Sequence, residues 1–167
     1  MTADRTLPRG AEILPAIREL LTQSGIHFRE VHHEPTRTSE ESAKARGEEL
    51  RLGGKALLMK GDDDFRLFVL PADRKVDSGA IRRELNLKKL RFATPEELLD
   101  RTGLVPGSVP PFGSPILPFE LCLDSTIEQN PRIAFNAGSL TDSMILNLSD
   151  YLSVAIPDRV FAFSESV

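Results

Sequence analysis

Residues 53–71 constrain the fold more than any other stretch. Two apolar runs, 55–60 and 65–70, flank Gly61, Asp62, Asp63 and Asp64, and glycine followed by aspartates is the composition of a tight turn between paired strands. Strand side chains alternate, so Lys55 shares a face with Leu57 and Met59, while Ala56, Leu58 and Lys60 share the other. Both faces are largely apolar, which predicts a hairpin covered on each side. An ammonium in such surroundings costs several kcal/mol unless it is paired. Lys55 therefore either snorkels from the mouth of the strand or faces a pocket that receives an electron-rich group.

The remainder of the chain predicts one domain around this hairpin. A length of 167 residues, 40% of them hydrophobic and 28% charged, suffices for one core without covalent staples. Residues 1–9 carry little pattern and read as a flexible arm, leaving 10–167 as a single domain. Leu14, Ile17, Leu20 and Leu21 recur at helical spacing before Gly25. A weak alternation over 26–31 predicts a strand that Pro35 stops. Thr38 followed by Glu41 marks a helix start, and that helix runs to Gly47. A short helix is expected over 78–86 and a strand over 87–93. Thr94, Pro95 and Glu97 open another helix, which ends near Gly103. Residues 105–115 form a stiff loop rich in proline and glycine. Beyond it, strands are expected over 116–124, 133–136, 144–148 and 154–156, with a helical turn at Ser149 and Asp150. The class is mixed α/β, with a central, curled mixed sheet surrounded by helices.

Several chemistries lack the residues they need. His32, His33 and Glu34 are adjacent, so a strand would point neighbours to opposite faces, and a metal site is not expected. There is no nucleophile elbow, and Gly53-Gly54-Lys55 precedes a strand, unlike a phosphate loop. The single cysteine, Cys122, excludes a disulfide framework and reads as a buried structural thiol. Neither a signal peptide nor a membrane-length apolar run is present, which predicts a cytoplasmic location with no membrane partner. A net charge of −4 argues against a broad grip on nucleic acid, DNA included. The basic group Arg82, Arg83, Lys88, Lys89 and Arg91 is either a solvated edge or a local phosphate contact.

What remains is one awkward lysine, a stiff Gly/Pro loop and a small-residue loop at 137–143. Loop amides can hold a carbonyl while the lysine supplies positive charge, and donors aimed at a developing oxyanion are worth about 3 kcal/mol each. Ester hydrolysis suits that trio.

At these residues the sequence resembles the YbaK / prolyl-tRNA synthetase-associated domain family of aminoacyl-tRNA deacylases, over roughly residues 26–156. Lys55, at the head of the strand Gly54-Lys55-Ala56-Leu57-Leu58, resembles the family's active-site lysine, with Ala56 where threonine is common. Gly107-Ser108-Val109-Pro110-Pro111 resembles its Gly-x-x-x-Pro loop, preceded by Thr102-Gly103, and Phe135-Asn136-Ala137-Gly138 its loop before the penultimate strand. The resemblance implies metal-free, cofactor-free hydrolysis of the ester joining a wrong amino acid to the 3′ end of tRNA. It implies that Lys55 contacts the substrate, that amides of Gly107 to Pro111 hold its carbonyl or amino group, and that Asn136, Ala137 and Gly138 line the pocket. With no evident side-chain base, the terminal adenosine's own hydroxyl would assist.

Three departures bear on specificity. Asn136 replaces the usual serine or histidine, Ser143 stands where one branch has aspartate, and Thr38 stands where that branch has an aromatic residue. These polar changes count against a cysteine or alanine specificity and point to small hydroxylated amino acids such as serine or threonine, so the expected substrate is a small amino acid among serine, threonine, alanine and cysteine. The expected function is thus trans-editing of mischarged tRNA, with a synthetase or elongation factor as delivery partner. The alternatives are a non-catalytic module of the same fold that docks to tRNA or a synthetase, or a binder of a small nucleotide or amino acid.

Overall fold

The computed structural model describes residues 6–167. The first five residues of the expected N-terminal arm therefore lie outside the described part, while Arg9 is tied down, donating to the carbonyls of Asp100 and Leu99 at 2.9 and 3.2 Å.

The expected hairpin is β2 (Gly54–Gly61) and β3 (Asp64–Pro71), following β1 (Phe28–His32). Pairing is in register from Gly54 opposite Pro71 to Gly61 opposite Asp64, and Asp62 takes a left-handed conformation in the turn. After β4 (Arg74–Val76) and β5 (Leu90–Phe92) come β6 (Glu120–Asp124), β7 (Arg132–Asn136), β8 (Asp142–Asn147), β9 (Arg159–Phe161) and β10 (Ser164–Ser166). They form a five-stranded sheet in the order β5-β2-β3-β6-β9, a three-stranded sheet β1-β8-β7 and the pair β10-β4. β3 runs parallel to β6 and β6 parallel to β9, so the larger sheet is mixed.

Helices follow the predicted caps. α1 (Ile13–Gln23) buries Ile13, Ile17 and Leu21. α2 (Ser39–Arg46) starts with the Thr38 side chain accepting from the amide of Glu41 and stops at left-handed Gly47. α3 (Ser78–Leu85) and α4 (Pro95–Thr102) follow, the latter opened by a reciprocal bonding of Thr94 and Glu97. α5 (Leu148–Ala155) is a correction: residues 154–156 were expected as a strand, yet Ala155 closes a helix whose Tyr151 and Leu148 are buried. The apolar period there serves one helical face equally well. The strand expected over 116–124 also starts later, at Glu120, because the amides of Ile116 and Leu117 turn back onto the Gly113 carbonyl.

Both faces of the large sheet are covered. Leu58, Leu67, Val69, Leu121 and Leu123 join the main core with α1, Phe135 and Tyr151, and Met59, Phe68, Leu70 and Cys122 form a second cluster with Ile81 and Phe163. Burial pushes the Cys122 thiol up to about 12, which keeps it an inert core residue.

The two main sheets meet where β2 begins. Gly53 bridges Ala134, and a Cβ on Gly54 would lie 2.6 Å from the Ile133 side chain. This close approach brings the first residues of β2 against β7. Replacing Gly54 by Val should destabilise the fold by about 1–3 kcal/mol, as overpacking does. Urea denaturation would read this, and an unchanged midpoint would refute the tight seam.

Candidate active site

The seam between the sheets opens into a cavity of about 180 Å³, lined by residues of β2, α2 and its approach, the 105–115 loop and the end of β7. This is below the roughly 300–1,000 Å³ of a drug-sized pocket. Its scale is that of a small acyl group.

Lys55 lies on its wall and donates from Nζ to the carbonyl of Arg74 at 2.9 Å. Burial pushes its ammonium below the ordinary lysine value, while Glu40 and Asp73 pull it back. Arg74 is itself fixed, Nε donating to Ser164 Oγ at 2.6 Å and Nη2 to the Ser164 carbonyl at 3.0 Å. Ser164 Oγ donates in turn to buried Asp124 at 2.8 Å. The C-terminal strand β10 therefore sets the backbone group that anchors the Lys55 head.

The stiff loop forms the facing wall. Gly107 takes φ of +89°, open to glycine but strained for other residues. Gly107 and Val109 both line the cavity, and neither amide makes a hydrogen bond within the described residues. Pro110 and Pro111 have no amide to give. The Pro111 carbonyl accepts from the buried Tyr151 hydroxyl at 2.6 Å, locking the loop onto the core.

Asn136 joins this loop to the sheets. Its Nδ2 donates to the Gly107 carbonyl at 2.7 Å, and its Oδ1 accepts from Arg46 Nη2 at 3.0 Å. Arg46 Nε donates to Ser143 Oγ at 2.9 Å, and His33 Nε2 lies 2.8 Å from that same oxygen. Arg46 is only 7% exposed and, among the described residues, forms no ion pair with a carboxylate; burial pushes its guanidinium down to about 10, with Glu48 acting against this.

Of the residues expected from sequence, Thr38, Lys55, Ala56, Gly107, Val109 and Asn136 line the cavity. Ser143 stands behind it through Arg46 and Asn136. Ser108 is buried with its hydroxyl on the Val105 carbonyl. Ala137 is fully buried, and Gly138 packs against Ile13, where a Cβ would come within 2.7 Å. Pro110, Pro111, Ser108, Ala137 and Gly138 thus do not line the cavity. His32 and His33 diverge as strand alternation demands, one bonding Asp142 at 2.8 Å and the other Ser143. Among the described residues, no three His, Cys, Asp or Glu side chains converge on a metal position.

No motif points to Thr36, Ser42 or Arg46, yet all three line the cavity. A usable signal exists: α2 carries no large apolar residue, so Ser42, Ala43 and Arg46 must form its inward face. Asn136→Ala is expected to cost about 1–3 kcal/mol, because it strands the partners Arg46 and the Gly107 carbonyl. Denaturation measures the loss, and amide exchange should quicken at Ser108 and Phe112. A variant as stable and as protected as the parent would refute the clamp.

Comparison with known proteins places the chain in a family. Residues 33–154 match the family described as the aminoacyl-tRNA editing domain. The chain is 37% identical over 147 residues to the multifunctional Ser/Thr-tRNA deacylase ProXp-y of Escherichia coli (strain K12), covering 84% of this chain and 87% of that protein. It is 34% identical over 101 residues to a proline–tRNA ligase of Shouchella clausii (strain KSM-K16), covering 60% of this chain and 18% of that enzyme. Among solved structures, a candidate trans-editing enzyme for prolyl tRNA synthetase superposes with a TM-score of 0.79 at 26% identity, covering 93% of this chain and 99% of the other. Cavity, loop and lysine thus sit on a shared scaffold, and the chain belongs to the aminoacyl-tRNA editing domain family.

Proposed function

We propose that this chain is a trans-acting hydrolase that removes serine or threonine from mischarged tRNA. The observation that carries the reading is the convergence of Lys55, Gly107, Val109 and Asn136 on one small cavity. The family supplies the reaction class, and the curated relative named as a Ser/Thr-tRNA deacylase supports the choice of amino acid.

Each group has a defined task in this reading. The half-buried Lys55 ammonium offers positive charge at the mouth of the cavity, where the terminal ribose and phosphate would lie. The unpartnered amides of Gly107 and Val109 receive the ester carbonyl as its oxygen gains charge during attack by water, an arrangement worth several kcal/mol when donors are preorganised. Asn136 holds the loop carrying those amides at a fixed distance from Arg46. A negative net charge gives little counterion release on tRNA, so delivery by a synthetase or elongation factor belongs to the proposal, as does a cytoplasmic site of action. Residues 10–167 act as one domain in it.

The test is a time course of deacylation for tRNA carrying serine, threonine, alanine, cysteine or proline. Serine and threonine esters are expected to be cleaved fastest; equal slow rates on all five would end the proposal. Lys55→Met should lower the rate about 10²–10³-fold, the scale of losing one preorganised electrostatic group. Because burial opposes its charge, that variant should unfold at no lower urea concentration than the parent. A Lys55→Met protein with full activity would show the lysine to be a bystander.

A further inference from the structure

Helices packed on a core normally turn apolar residues inward, but two of the three inward residues of α2 are polar. Ser42 and Arg46 are one turn apart on the same face, 5% and 7% exposed. Thr36, on the approach to α2, is also 5% exposed, and its Oγ1 lies 2.8 Å from Ser42 Oγ. All three line the cavity. Polar groups placed on the wall of so small a space are expensive to leave unpaired.

Counting hydrogen bonds shows what the wall lacks. Two hydroxyls bring two protons, and the Thr36–Ser42 bond uses one of them. One O–H donor and spare lone pairs remain beside the cavity. Arg46 directs Nε to Ser143 and Nη2 to Asn136, while Nη1 makes no hydrogen bond among the described residues. The wall therefore offers both a donor and an acceptor to a guest, at positions fixed by the fold: the Thr36 amide is pinned to the Leu140 carbonyl at 3.0 Å, and Arg46 is pinned at two of its nitrogens.

We infer that Thr36 and Ser42, backed by Arg46, recognise the side-chain hydroxyl of the aminoacyl group and set the specificity of the site. A hydroxyl can donate to one of the two oxygens while accepting from the other or from Nη1. A methyl group can do neither, and it leaves the wall desolvated and unpaired. That asymmetry is the one by which sites built to bond a hydroxyl reject analogues lacking it, far beyond what sieving by size achieves. The loop amides handle the ester and Lys55 the terminal ribose and phosphate, which every substrate has in common, so recognition and hydrolysis fall to different walls of one cavity.

This inference rests on the proposed deacylase reading, and the experiment separates the two. The parent is first assayed on tRNA carrying serine, threonine and alanine; no cleavage of the serine and threonine esters above the uncatalysed rate would remove the deacylase reading itself. The variants Thr36→Val and Ser42→Ala are then compared on the same substrates. Each should lower kcat/KM on serine and threonine esters at least tenfold, about the value of one hydrogen bond lost from a buried group. The alanine ester should be cleaved within twofold of the parent rate or faster. Thr36→Ser, which keeps the hydroxyl, should restore the preference. An equal fall on all three substrates would assign the pair a structural role and overturn the inference, as would unchanged preference in both variants.

Discussion

One guanidinium holds the site together. Arg46 leaves α2, reaches across the cavity wall and bonds Ser143 on β8 and Asn136 on β7, while Asn136 carries the connection to the Gly107 loop. Three stretches distant in sequence, α2, the Gly107 loop and the β7–β8 pair, are thus fixed by a short chain of hydrogen bonds around a desolvated charge. Such a network holds only when every member is satisfied, because each partner lost leaves a buried polar group or charge exposed to an apolar medium. The ion pairs of Glu48 with Arg29 and Arg132, at 3.0 and 2.9 Å, brace the end of α2 from outside. Arg29 also donates to the Arg46 carbonyl at 3.1 Å, so the backbone of the central residue is held as well as its head.

The network depends on a steric condition beneath it. The head of β2 reaches β7 only because Gly53 and Gly54 have no side chains to collide with Ala72 and Ile133. Lys55 follows those glycines directly, so the place where the sheets come nearest is also the place where the lysine emerges. Apolar packing on both faces of β2 and β3 makes that position rigid. The cavity is accordingly a seam between two rigid sheets, with the proline-rich loop closing its open side.

Much of this was legible in the chain. The hairpin, the caps at Thr38 and Thr94, and the left-handed stop at Gly47 depend on neighbours within a few residues, where local chemistry decides. Lys55 was conspicuous because a charge in an apolar run demands explanation. α5 was hidden because its residues satisfy the period of either a short strand or a helix, and contact with Phe112 and the Pro111 carbonyl through Tyr151 settles the matter. β4, β9 and β10 were hidden because strands of three residues carry no period; β10 exists only by pairing with β4, some ninety positions earlier. Arg46 illustrates the same limit at the site. An arginine near a helix end ordinarily reads as a solvated cation, and only the tertiary fold turns it inward toward Asn136 and Ser143.

The tail reaches further into the chemistry than its position suggests. The stretch matching the editing family ends at residue 154, whereas the tether running from Asp124 through Ser164 and Arg74 to the Lys55 ammonium uses residues beyond it. A unit trimmed at the family boundary would retain the cavity walls and lose the post that aims its cation. The part of this fold that shapes the cavity is therefore larger than its recognisable signature, and substitutions in an outlying strand can move the Lys55 ammonium without touching the cavity wall.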